Sequence, residues 1–261
     1  MIQAASRWSR RQNLRSLELS DPLPEITVPA PAQQVRPSSP SKTLSRHFRT
    51  RRDHALRKLI LDRRATKDGT FRILDLGGTA DYWRRVGLDW LKENQIEITC
   101  VNHHATEFRD AGNEEVIRFI VGNACDMAGH ADNSFDFVHS NSVIEHVGRW
   151  PEMRAFAREV MRLAPAYYVQ TPYYWFPIDP HFHRAPFFHW LPESARLKLL
   201  QRFKIGWAAA QPDVDKAMNL VMSNILLDGS QFRALFPDAQ HSYERVAGLN
   251  KSLIAVKNPP S

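Results

Sequence analysis

FRILDLGGTAD, residues 71–81, is the stretch on which the reading of this chain turns. Phe71, Ile73, Leu74 and Leu76 form a short apolar run dense enough for a strand buried on both faces, and Asp75 stands just before Gly77 and Gly78. A glycine pair at that point predicts a tight turn. Asp81 is then placed to cap a helix in which Trp83, Val86 and Trp90 recur at helical spacing. Strand, glycine turn and helix in this order form a nucleotide-binding geometry: glycine lets the backbone approach a ligand, and ligands of open α/β sheets bind beyond the carboxyl ends of the strands. A purely structural turn stays open as the alternative, since any α/β domain can turn on glycine.

The 261 residues, 43% of them hydrophobic, suffice for one substantial core with an appendage. No stretch approaches the roughly 20 apolar residues of a membrane-spanning helix. Cys100 and Cys125 are the only cysteines and lack C-x-x-C spacing. They fit a reducing, cytoplasmic setting and argue against a disulfide framework or a thiolate zinc site. The net charge of +7 is unevenly spread: residues 1–70 hold 15 Lys and Arg against 6 Asp and Glu, and the remainder 20 against 22. Basic charge gathered at the front, with no recognition motif, disfavours nucleic acid as a partner. Residues 1–42, rich in Arg, Ser and Pro, read as a disordered tail. Arg7, Arg10, Arg11 and Arg15 with Trp8 and Leu14 also suit a transit peptide or a weak membrane-surface contact.

The domain proper is expected over 43–261. Leu44 to Ala65 reads as a helix with Leu44, Phe48, Ala55, Leu56, Leu59 and Ile60 inward and its arginines solvated. Strands follow at 96–101, 116–121, 135–139 and 167–170, and a helix from Pro151 to Ala164 separates the last two. Strands alternating with helices predict right-handed crossovers and a mostly parallel, doubly wound sheet. Residues 171–192 break the rhythm with a loop rich in proline, aromatic residues and histidine, the composition of a lid or binding loop. Amphipathic helices are expected at 193–203 and 214–227, with Ser230 capping a short helix through Phe236. Tyr243–Val246 and Ser252–Val256 then read as a closing antiparallel pair.

Taken together, ILDLGG (73–78), VGNACDM (121–127), FDFVHSNSVIEHV (135–147) and VQTPYYWFPIDPHFHRAPFFHWLP (169–192) resemble class I S-adenosylmethionine-dependent methyltransferases, in particular the small bacterial type 11 branch. The resemblance covers about residues 70–257. It implies an α/β, Rossmann-like, seven-stranded sheet with a terminal antiparallel hairpin, and S-adenosyl-L-methionine as cofactor. By the same resemblance Asp75, Gly77 and Gly78 would face the methionine moiety, and Asn102 and His104 the ribose. Asn123, Ala124 and Asp126 would face the adenine, and Ser140 and Asn141 the amino end. Two departures stand out. Thr79 and Ala80 follow the glycine pair where the family alternates glycines, and strand two ends in Asn102, His103 and His104 instead of the acid that grips both ribose hydroxyls.

Methyl transfer from a sulfonium is an in-line displacement, so the protein must align an acceptor and, where needed, remove its proton. Tyr173, His181 and His183 are the candidate catalytic residues, with Tyr174 and Asp179 beside them. Asp179, His181, His183 and His189 would also suit zinc or iron, but the prolines and aromatics around them fit a packed lid better, and no metal is expected. Glu145 and His146 have a bland reading as turn anchors. SNSV (140–143) lacks the Asn-Pro-Pro-aromatic run of amino-group methylation, which points to a small-molecule, lipid or glycan hydroxyl as acceptor. The competing class is a non-catalytic scaffold of the same fold carrying a basic tail. A nicotinamide oxidoreductase would need G-x-G-x-x-G and an acid after strand two, and both are missing.

Overall fold

The computed structural model describes residues 41–108, 112, 114–183 and 185–258, with the side chains of 41–49, 51 and 107 excluded. The expected tail thus lies outside the described residues, except that Ser41 and Lys42 already belong to helix α1 (Ser41–Arg64). Seven strands form one sheet: β1 (Phe71–Leu76), β2 (Ile96–Asn102), β3 (Ile117–Val121), β4 (Phe137–Asn141), β5 (Tyr167–Pro172), β6 (Gln240–Val246) and β7 (Leu249–Lys257). Their spatial order is β3-β2-β1-β4-β5-β7-β6. The first five are parallel, and β7 runs antiparallel between β5 and β6. The doubly wound sheet with its closing hairpin is therefore present, and the order reverses between β1 and β4, where such sheets bind ligands.

Apolar side chains alternate between the two faces. Phe71, Ile73, Ile98 and Phe137 meet Leu56 and Ile60 of α1, Trp83 and Val86 of α2 (Ala80–Val86) and Leu91 of α3 (Leu88–Glu93). Leu74, Leu76, Val138 and Val169 meet Met153, Phe156 and Val160 of α4 (Trp150–Leu163) and Phe232 and Phe236 at α7 (Gly229–Leu235). Burial on both sides is why β1 reads as a near-continuous apolar run. A third, smaller core joins Phe182 and Phe188 of the aromatic loop to Leu200 of α5 (Glu193–Arg202) and to Ala217 and Val221 of α6 (Val214–Met222). No described helix is long and apolar enough to cross a membrane.

Several local expectations need correction. Ala55 is exposed. The helix expected to run from Trp83 to Trp90 is divided at Gly87, whose φ of 120° ends α2 before α3 begins. Its cap is Thr79, whose side chain accepts from the Tyr82 amide, and not Asp81. The threonine that departs from a glycine pattern therefore serves as an N-cap. Likewise Asp228, not Ser230, caps α7, in a box with Gln231. α6 stops at Met222, short of Leu227, and the hairpin strands are longer than the apolar runs that betrayed them.

Cys100 is fully buried and its thiol is pushed well up by that burial and by the Asp75 charge, while Cys125 is half-buried, with a milder rise. A thiol reagent at pH 8 should modify Cys125 slowly and Cys100 only after denaturant is added. Two rapidly reacting thiols in the native protein would contradict this packing.

Candidate active site at the carboxyl rim of the sheet

The glycine turn is held from both sides. Gly77 has a φ of +75° and donates its amide to the Val101 carbonyl at 2.8 Å. The Asn102 side-chain amide donates to the Gly78 carbonyl at 2.7 Å, from a position that is 8% exposed. Instead of an acid reaching out to a ribose, β2 ends in an amide whose nitrogen pins the turn. Below it, Asp75, expected to face the methionine moiety, is 2% exposed. Its Oδ2 accepts from Trp83 Nε1 at 2.7 Å and its Oδ1 meets His139 Nδ1 at 2.7 Å, so both oxygens are taken. Neither partner was anticipated. His139 is the direct neighbour of Asp75 across the β1–β4 register, a pairing visible only once the strand order is known.

Of the other expected cofactor residues, Asn123 and Asp126 are exposed on a tight turn closed by the Asp126 amide on the Asn123 carbonyl at 2.9 Å. Ala124 is half-buried beside them, and His104 is exposed beyond β2. Ser140 is fully buried, donating to the Leu76 carbonyl at 3.1 Å, so its hydroxyl serves the sheet. Asn141 is half-buried and its Oδ1 accepts from Arg52 at 3.3 Å. Arg52 also donates to Gln170 Oε1 and lies 3.9 Å from Glu244. This arginine of α1, expected to be solvated, reaches the carboxyl ends of β4 and β5.

The loops after β4 and β5 bring together residues distant in sequence. Ser142, at φ +60°, turns the chain into a short 3-10 turn carrying Glu145 and His146. Glu145 is 1% exposed; Oε2 accepts from Thr171 at 2.9 Å, and Oε1 has no hydrogen-bond partner among the described residues. Burial pushes its carboxyl up to about 7, against the opposing hydrogen bonds and the His181 charge. His146 Nδ1 donates to the Ser223 carbonyl at 2.8 Å, and His181 Nδ1 donates to Asp179 Oδ1 at 2.6 Å. Desolvation by the protein packed around the ring nitrogens works to lower both imidazoles. It prevails at His146, whereas the Asp179 hydrogen bond and charge raise His181. The two Nε2 atoms face each other at 3.0 Å. Asn224, a residue sequence reasoning passed over, donates to Asp179 Oδ2 at 3.0 Å.

The three candidate catalytic residues have different surroundings. His181 joins His146 and Glu145; His183 stacks on Trp207 with centroids 4.2 Å apart; Tyr173 packs edge-on to Tyr243 at 5.4 Å. His189 meets the Tyr174 carbonyl at 2.8 Å. The metal alternative weighed from Asp179, His181, His183 and His189 is thus not the grouping the fold assembles. Two hollows, lined by Leu88, Lys92 and Glu114 in one case and by Arg63, Phe71 and Asp136 in the other, lie toward the amino ends of the strands, away from this rim.

Strand order, glycine turn and the sequence of rim loops define an open, doubly wound, Rossmann-like α/β sheet whose crevice lies at the β1–β4 switch point. Residues 77–165 match the family model described as methyltransferase domain, and that match implies S-adenosylmethionine as cofactor. No curated protein matches the chain. Among solved structures, a protein assigned as a sarcosine dimethylglycine methyltransferase from Galdieria sulphuraria is 17% identical with a TM-score of 0.44, over 75% of this chain and 63% of that one. This chain therefore spans less than two thirds of that relative's length. The PH0226 protein of Pyrococcus horikoshii OT3 is 18% identical with a TM-score of 0.46, over 79% of this chain and 91% of its own. Magnesium protoporphyrin IX methyltransferase from Synechocystis PCC 6803, solved with bound SAH, is 10% identical with a TM-score of 0.48, over 85% of this chain and 90% of its own. Likenesses this distant carry no argument about substrate.

A Cβ on Gly77 would overlap the Val143 side chain and sit at a φ that L-residues resist. Gly77→Ala should therefore cost about 2–4 kcal/mol in urea unfolding. Trimming the neighbour with Val143→Ala should recover part of that cost, leaving a favourable coupling of about 1 kcal/mol in a double-mutant cycle. Zero coupling would show that the two side chains do not compete for the same space.

Proposed function

We propose that this protein is an S-adenosylmethionine-dependent methyltransferase acting at an oxygen of a small-molecule, lipid or glycan acceptor. The observation that carries the reading is the coincidence of the family match over residues 77–165 with the β1–β4 switch point and its glycine turn. The rim offers a suitable set of groups. Exposed Asn123 and Asp126 carry acceptor oxygens suited to an adenine amine, and Asn102, whose nitrogen fixes Gly78, carries a side-chain oxygen able to accept from a ribose hydroxyl. The backbone of Gly77 and Gly78 admits close approach, and the Arg52 guanidinium beside Asn141 supplies positive charge for a carboxylate. Asp75 and Ser140 support the floor from beneath.

When bound, S-adenosylmethionine supplies an electrophilic methyl group. The chain's part is to exclude water, hold the acceptor in line and receive its proton. His181, oriented by Asp179 and set beside Glu145, stands at the acceptor end of this scheme, with Tyr173 and His183 on the same segment. The second reading, a non-catalytic scaffold, draws on one specific observation: both oxygens of Asp75 are consumed internally and β2 ends without an acid.

Calorimetric titration with S-adenosylmethionine separates the two. Binding at micromolar levels or better is expected, weakened about tenfold by Asp126→Ala, the loss of roughly one charge-assisted hydrogen bond. His181→Ala should leave that affinity within about twofold while abolishing release of S-adenosylhomocysteine in a metabolite extract. Absence of heat with the intact chain would leave the scaffold reading.

A further inference from the structure

We propose that Glu145, His146 and His181 form a binding site for one divalent transition-metal ion, of the zinc or ferrous type, at the acceptor side of the rim. The argument begins with the imidazoles. Each Nδ1 donates, one to the Ser223 carbonyl at 2.8 Å and the other to Asp179 Oδ1 at 2.6 Å, since neither oxygen has a proton to give; Asn224 Nδ2, 3.0 Å from His181 Nδ1, gives its own proton to Asp179 Oδ2. Both Nε2 atoms are therefore the ring positions that carry lone pairs in the neutral tautomer, and they point at each other across 3.0 Å.

Two lone pairs at that distance need a cation or a shared proton between them. A shared proton would satisfy the histidines alone. Glu145, whose Oε1 is buried and has no hydrogen-bond partner among the described residues, forms with the two histidines a group whose ligand atoms lie within 4.8 Å of one another. A metal ion satisfies all three. Metal–nitrogen bonds of about 2.0–2.1 Å separated by roughly 90–110° place two nitrogens about 2.9–3.4 Å apart, which spans the observed spacing. The surrounding groups also match what ligating histidines and carboxylates require: Asp179 and Ser223 fix the two tautomers, Thr171 holds the second Glu145 oxygen, and Asn224 braces Asp179. Two imidazoles and one carboxylate suit borderline metals over magnesium or calcium. Three protein ligands leave coordination positions open on the side of exposed His146, where an acceptor oxygen can enter.

Binding of the ion stands on these side chains alone. Only its role in lowering the acceptor's proton affinity rests on the methyltransferase reading. The test uses the full chain after chelation, titrated with Co2+ and followed by visible absorption, with Zn2+ as competitor and no S-adenosylmethionine present. One equivalent of Co2+ should bind and be displaced by Zn2+. Glu145→Gln and His181→Ala should each weaken binding at least tenfold, and Asp179→Asn, which acts through His181, about 10–100-fold. His103→Ala, an exposed histidine elsewhere, should leave it unchanged. Circular dichroism of each variant guards against misfolding. No Co2+ binding by the intact chain, or equal binding by folded Glu145→Gln and His181→Ala proteins, overturns the site. S-adenosylmethionine calorimetry on the same samples reports independently on the methyltransferase reading.

Discussion

Everything at the carboxyl rim rests on one buried carboxylate. Asp75 sits where β1 gives way to the glycine turn, and a desolvated carboxylate at 2% exposure is tolerable only because Trp83 and His139 each give it a partner at 2.7 Å. The two partners come from α2 and β4, the elements that flank the turn on either side of the switch point. One side chain thus fixes the helix start, the strand register and the path of the loop between them. Asn102 completes the arrangement from β2 by holding the Gly78 carbonyl. A negative charge used in this way is held in place by the fold itself, within the turn that the switch point presents.

The second half of the site is supported differently. The loop after β5 is stabilised by its own small core, in which Phe182 and Phe188 pack on α5 and α6, leaving Trp175 and Phe187 exposed. That core positions Asp179 and His181, while the amide of Ile225 donates to the Glu145 carbonyl at 2.8 Å and ties the segment after α6 to the turn after β4. Three separate stretches therefore converge on the paired imidazoles, and each is anchored by packing some distance from the polar groups it delivers. This division between apolar anchors and a polar meeting point is what allows a buried carboxylate and two histidines to be held at hydrogen-bonding distance.

The sheet was legible in the sequence because its signals are local. Apolar runs such as Ile73 to Leu76, β-branched segments such as IEITCV and a helical stripe from Met153 to Ala164 each reveal an element without reference to any other. The motif order then implied the topology. What stayed hidden depends on pairings between distant residues. Asp75 against His139, Arg52 against Asn141 and Gln170, and His146 against His181 are set by strand order and loop path, and composition has no access to either. The caps stay hidden for a related reason: Thr79 and Asp228 compete with the equally plausible Asp81 and Ser230 two residues on, and only backbone geometry decides between them. Glu145 and His146 read in the sequence only as turn anchors, because His181, which meets His146, lies 35 residues further along the chain.

Arg52 spans 89 residues to Asn141 and 118 to Gln170, and its distant neighbour Glu244 lies on the last hairpin. During synthesis the first helix leaves the ribosome long before those strands exist, and loop closures of this length are slow relative to local helix formation. Maturation of the rim is consequently tied to emergence of the C-terminal hairpin, so that a nascent or truncated chain lacking β6 and β7 would carry the glycine turn with its roof unfinished.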